Sequence, residues 1–127
     1  MDKFFIHKFY IVLVVKKTEK ILGGIITLLI LKTLLEEPKH GYELEKIIRE
    51  KLDYKLPEGS IYVILKNLER RGLIKPQVMK NERGHDIKKY IITEEGKKFF
   101  LSHEKPLIAV RKVLDEIIAD IQKLKIR

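Results

Sequence analysis

The run from Pro57 to Ile74, PEGSIYVILKNLERRGLI, decides how this chain folds. Ile61, Ile64, Leu65 and Leu68 recur at helical spacing and must face inward, with Ser60 placed to cap the helix start. Gly72 closes the segment after Arg71, as a glycine at a helix C-terminus does. Turning the four apolar residues inward leaves Ser60, Tyr62, Val63, Lys66, Asn67 and Arg70 on the opposite face. These types suit a duplex major groove: Lys donates to guanine acceptors, Asn pairs bidentately with adenine, and Val meets a thymine methyl. Ser, Tyr and Arg reach phosphates. A lone helix with such a face is more often ordinary solvated surface, so its neighbours decide.

On the N-terminal side a helix is predicted from Gly41 to Leu52. Tyr42, Leu44, Ile47, Ile48 and Leu52 form its core stripe, and Glu43, Glu45, Lys46, Arg49 and Glu50 face water. Asp53 to Glu58 make the tight connection. Lys39, His40 and Tyr42 at this helix start can hold a phosphate, because free amides and positive potential gather there. Gly41 can equally serve close backbone packing, and Tyr42 reads better as core than as a phosphate contact. On the C-terminal side, Leu73 to Lys80 and Asp86 to Ile92 alternate as two antiparallel strands, with Pro76 placing the first at an edge or bulge. Their loop, Asn81 to His85, carries a basic tip: Lys80, Arg83, His85, Lys88 and Lys89 surround Gly84. Such a tip can follow a DNA backbone or enter a minor groove; Glu82 and Asp86 dilute it, and a plain solvated turn reads as well. Two short helices, a tight turn and a basic hairpin together tip the balance toward DNA.

Further out, a helix from near Lys20 to Glu36 is apolar around most of its circumference (Ile21, Leu22, Ile25, Ile26, Leu28 to Leu31, Leu34, Leu35). That calls for cover on more than one side, for which a second subunit is one natural source. Gly23 and Gly24 either mark its start or permit close approach, and Pro38 ends it. Thr93 should cap a fourth helix with Glu94 and Glu95 on its positive end, anchored by Phe99 and Phe100. Leu107, Val110, Leu114, Ile117, Ile121 and Leu124 form a heptad seam, widened by Val113 and Ile118. Either this last helix folds back on its own core or it is a dimer seam. The first residues are less regular: Phe9 to Val15 is an apolar run too short to span a membrane and without a signal-peptide cleavage site. An added core element, a partner-binding segment and a misassigned start all fit it.

The expected class is mainly α (α+β): a winged helix-turn-helix over 20–104, a C-terminal dimerisation helix over 105–127, and an N-terminal extension over 1–19. The 127 residues suit one domain with an appended element, and 45% hydrophobic residues allow a real core. A net charge of +9, from 27 basic and 18 acidic groups, favours a nucleic acid or anionic partner. The absence of cysteine excludes disulfides and thiolate metal sites and fits a cytoplasmic protein. Catalysis finds no support. His7, His40, His85 and His103 are scattered, Ser60 and Ser102 lack a nucleophile elbow, and no glycine loop cradles phosphate. No metal, cofactor or membrane contact is expected.

The ordered set His40-Gly41-Tyr42, Ser60-Ile61-Tyr62, Gly72-Leu73-Ile74, Lys89-Tyr90 and Thr93 to Gly96 resembles the PadR family of winged-helix transcriptional regulators, over about Ile21 to Phe100. The resemblance implies a homodimer on an inverted-repeat operator, commonly a repressor, held through the C-terminal helix packed with the first. It implies DNA contacts from Ser60, Tyr62, Lys66 and Asn67, and a wing over Lys80 to Lys89. Val63 stands where members often carry proline. Many members bind a small hydrophobic effector between subunits; this chain offers no tryptophan there, so no ligand is assigned. Two other classes fit the same elements: a winged-helix protein-interaction module, and a ligand-binding dimer that has lost DNA binding.

Overall fold

The computed structural model describes residues 21–126; the expected extension over 1–19 lies outside the described residues. Helix α1 (Leu22–Glu36) runs through the middle of the core, burying Ile26, Leu28, Ile30, Leu31 and Leu34. Two threonines on it are buried as well, and the Thr33 hydroxyl donates to the Leu29 carbonyl at 2.7 Å. The cover expected on more than one side of α1, for which a second subunit was one source, comes mostly from this chain itself, because four other elements pack around the helix. Among its apolar residues, Leu35 stays exposed. The helix stops where Glu37 goes extended ahead of Pro38.

Helix α2 (Gly41–Leu52) and helix α3 (Ser60–Arg70) form the helix-turn-helix. Leu44 and Ile48 of α2 and Ile61, Ile64, Leu65 and Leu68 of α3 all lie in the core, with Leu56 of the connection. The inward face expected for α3 is the one observed. Its start differs: the cap is Gly59, not Ser60, at φ 87 in the left-handed region that glycine enters without a Cβ penalty.

Strands β1 (Ile74–Lys80) and β2 (Asp86–Ile92) pair antiparallel in register from Ile74↔Ile92 to Lys80↔Asp86. The sequence did not suggest a further pairing: Lys39, just before α2, bridges Tyr90 on the other side of β2. Both bonds form, Lys39 N–H to Tyr90 O at 3.2 Å and Tyr90 N–H to Lys39 O at 2.8 Å. Tyr90 therefore points its backbone groups away from its β1 neighbour, which is Pro76. Proline sits at the one parity where its missing N–H costs no ladder bond.

Helix α4 (Glu94–Leu101) is capped as expected, Thr93 Oγ1 accepting from the Gly96 amide at 3.0 Å while its hydroxyl donates to Gly72 O at 2.7 Å. Gly96 presses directly on the strand entry: a Cβ there would lie 2.2 Å from the Leu73 carbonyl oxygen and 2.8 Å from Ile92. Phe99 and Phe100 pack against the core, and the Arg71 guanidinium lies 4.9 Å over the Phe99 ring.

Helix α5 (Glu104–Ile126) is the last described element. It begins two residues before Pro106, which occupies the first turn, where an N–H has no intrahelical acceptor. None of its residues is buried. The fold-back onto its own core is not what forms: Leu107, Val110, Leu114, Ile117, Ile121 and Leu124 are 40–69% exposed along a helix of 23 residues.

Candidate nucleic-acid interface

Tyr90 links the β1–β2 hairpin to the two helices, lying near Lys66 and Glu69 of α3. Its ring meets the α2 start, where a Cβ on Gly41 would stand 3.6 Å from Tyr90 and 3.2 Å from Tyr62. Gly41 thus serves the close packing of two tyrosines. Burial lifts the Tyr90 phenol above the ordinary tyrosine value; nearby Glu69 adds to the rise and Lys66 opposes it. The Tyr62 phenol is also raised, first by burial and then by the Glu45 carboxylate. Both rings therefore present neutral hydroxyls at physiological pH.

Six residues of α3 were expected to face outward. Tyr62 is 43% exposed, Lys66 and Arg70 are exposed, and Val63 and Asn67 are half-buried at the flanks. Ser60 is the exception. It is fully buried, and its hydroxyl donates to the Pro57 carbonyl, so its expected reach to phosphate is overturned. At 100° per residue, Ser60 lies beside Ile64, close enough to the core edge for a small side chain to be swallowed. Glu69, which the sequence reading passed over, sits on the edge nearest Tyr90 and tempers the positive charge there.

Arg49 is a second omission. Helical periodicity turns it to water, yet its guanidinium donates to Leu56 O at 3.0 Å and Pro57 O at 3.1 Å, with Glu45 at 3.0 Å on Nε. It clamps the turn between α2 and α3 and so fixes how α3 is presented. No periodicity announces a side chain that bonds carbonyls seven and eight positions ahead.

At the α2 start the three candidates separate. Lys39 Nζ pairs with Glu37 Oε1 at 2.6 Å, and this contact raises the Lys39 ammonium and lowers the Glu37 carboxyl. The His40 ring bonds the Lys88 carbonyl at 2.9 Å. Tyr42, read as core, is instead 66% exposed and stacked on His40 at 5.1 Å between ring centres. At 100° per residue Tyr42 lies on the side of α2 opposite Leu44 and Ile48, the two residues the helix buries, so it does not belong to the core stripe. Tyr42 is the accessible member of the trio.

The hairpin tip is ordered by Asn81, whose Oδ1 accepts from the amides of Arg83 at 3.0 Å and His85 at 2.9 Å. Lys80 is paired with Asp86 at 2.8 Å across the base of the tip. Arg83 and His85 are exposed, and neither is ion-paired among the described residues. Lys88 reaches back over the Tyr90 ring at 5.4 Å, and Lys89 on the other face is half-buried. Lys66, Arg70, Arg83 and Lys88, with the hydroxyls of Tyr42 and Tyr62, make a cationic surface able to follow a phosphate backbone and admit a helix to a groove. Among the described residues no three His, Cys, Asp or Glu side chains gather to hold a metal, and no helix is long and apolar enough to cross a membrane.

Residues 30–102, more than half of the chain, match the model of the transcriptional regulator PadR-like family. Among solved structures, one described as a transcriptional regulator from Thermoplasma acidophilum is 44% identical, with 80% of this chain and 97% of that one covered and a TM-score of 0.70. A PadR family transcription regulator from Clostridium difficile is 32% identical, covering 73% and 97%, with a TM-score of 0.62. A transcriptional regulator from Clostridium thermocellum is 30% identical, covering 76% and 93%, at 0.63.

Proposed function

Because this chain belongs to the transcriptional regulator PadR-like family and is a DNA-binding transcription regulator, we propose that it acts as a homodimeric repressor on an inverted-repeat operator. The observation that carries this reading is the uncovered apolar stripe of α5, on the same chain as an outward basic α3. A helix of this length extends roughly 35 Å, and a monomer rarely leaves so long an apolar strip in water. A second copy packed along it satisfies both subunits at once, since a two-fold interface uses the same patch twice.

Dimerisation would hold two α3 helices in successive major grooves, about 10 bp apart, so the matching operator is palindromic. Lys66 and Asn67 would read base edges, Val63 a thymine methyl, and Tyr62, Arg70 and Tyr42 would hold phosphates. The hairpin would lay Arg83 and Lys88 along the backbone as a wing. Occupying a promoter-proximal palindrome blocks polymerase, hence repression, and the work is cytoplasmic. We assign no catalytic role and no cofactor; a cleft between aliphatic α5 helices suits a small hydrophobic effector.

The test is a competition gel shift on the intergenic DNA beside its own gene, against random duplex of equal length. The proposal expects a palindrome protected and preferred by at least about a thousandfold. Equal retention of both duplexes would refute sequence-specific repression, and retention of neither would leave the winged helix as a protein-binding module.

A further inference from the structure

We infer that His40 is a positioning residue that fixes the wing against the helix-turn-helix, by supplying a hydrogen bond the backbone cannot. The inference rests on the DNA-binding reading above and concerns how that surface is held. Lys39 and Tyr90 exchange both of their backbone bonds. In an antiparallel ladder the next exchanging pair lies two residues on along one strand and two back along the other, here Gly41 with Lys88. That pair does not form, because Gly41 is already the first residue of α2 and the chain has turned away. The Lys88 carbonyl, which has the same parity as Tyr90, is left facing the vacated position.

The His40 ring fills it, with Nδ1 at 2.9 Å from Lys88 O. A carbonyl only accepts, so Nδ1 carries the proton and donates. Two further contacts hold the histidine: its own amide donates to Glu43 Oε1 at 3.0 Å, and its ring stacks on Tyr42. His40 is thereby a strap between the first turn of α2 and the wing strand. Beyond Lys88 lie the Lys80–Asp86 pair and the Asn81-ordered tip with Arg83, on a two-stranded ribbon whose residues 80–86 are all exposed. A ribbon of that kind is loose without an anchor at its root. With the strap, Lys88 and Arg83 are set at one distance from α3, so that groove and backbone are engaged together.

Two substitutions separate the donor from the ring. His40→Asn puts an amide nitrogen at the place of Nδ1 and is favourable at an N-cap; His40→Phe keeps a ring to stack on Tyr42 and removes the donor. Binding of the full chain to a random-sequence duplex of about 30 bp would be followed from about 0.05 to 0.3 M salt, where log affinity falls by about 0.9 per phosphate engaged. Wild type and His40→Asn should share one slope, and His40→Phe should lose about one unit of it. Equal slopes for all three, or an equal loss in both variants, would overturn the strap. Failure of the wild type itself to bind the duplex at low salt would instead sink the DNA-binding reading. The nitrogen-15 resonances of His40 in the wild type give an answer that needs no variant to fold: the Nδ1–H tautomer is required, and a predominant Nε2–H tautomer would refute the assignment.

Discussion

Replacing Arg49 with alanine should cost this fold about 3 kcal/mol, although the side chain is part-exposed and sits on the outer side of α2. The figure follows from what the guanidinium holds. Each hydrogen bond from a charged donor to a carbonyl contributes about 1.5–3 kcal/mol when both groups are desolvated. The acceptors here are the carbonyls of Leu56, which is buried, and of Pro57. With the side chain 30% exposed, water replaces part of each bond, so we take about 1–1.5 kcal/mol apiece. The Glu45 ion pair adds roughly 0.3–0.5 kcal/mol, as exposed i,i+4 pairs do. Such a loss is a large share of the 5–15 kcal/mol typical of a domain and would lower Tm by about 10–20 °C. Arg49→Lys keeps the charge for Glu45 but is a point donor, unable to fork onto two carbonyls, and should lose about half as much. Urea unfolding of wild type and both variants at one protein concentration gives the numbers. A loss below about 1 kcal/mol for alanine, or equal losses for lysine and alanine, would refute the clamp.

Four further outcomes follow from the same geometry. Gly96→Ala should destabilise by about 2–4 kcal/mol, since its Cβ meets the Leu73 carbonyl, whereas Gly24→Ala, with open space around it, should be neutral or slightly stabilising in thermal unfolding. Ser60→Ala should cost about 1 kcal/mol of stability through its buried hydroxyl and leave operator preference unchanged; a change in preference would return Ser60 to the readout. Asn67→Ala should instead reduce discrimination between operator variants by about 1–3 kcal/mol in competition gel shifts, with fold stability nearly intact. Arg83→Ala should lower the salt slope on any duplex by about one unit, and Lys80→Ala by less, because Asp86 already neutralises Lys80.

The sequence carried the fold wherever the determinant was local. Helix α2 and strand β2 occupy the predicted spans because Gly41, Leu52 and the alternation of Ile87 to Ile91 mark them within a few residues. Thr93 and Gly96 form a cap legible in four letters, though only the structure shows that Gly96 also admits the Leu73 carbonyl. What escaped was set by contacts distant along the chain. The Lys39–Tyr90 bridge is one residue long and has no period to detect. Arg49 looks like any solvated helix arginine until the turn folds back beneath it. Two residues fell on the wrong side of the expected faces: Ser60 is small enough to be buried at a face edge, and Tyr42 lies on the side of α2 opposite the buried Leu44 and Ile48. Of the candidate interface, the cations of α3 and the wing were readable as charge and spacing, while the struts that hold them, His40 and Arg49, were not.

The most direct measurement is sedimentation velocity of the full chain at micromolar concentration, alone and with a duplex bearing the intergenic palindrome. A two-fold α5 seam predicts a species of about twice the 15.0 kDa chain mass that binds the duplex as one dimer, and a monomeric, non-binding species for Leu114→Lys/Ile117→Lys. A wild-type protein that sediments as a single chain, or a lysine double variant that still dimerises and binds, would contradict it.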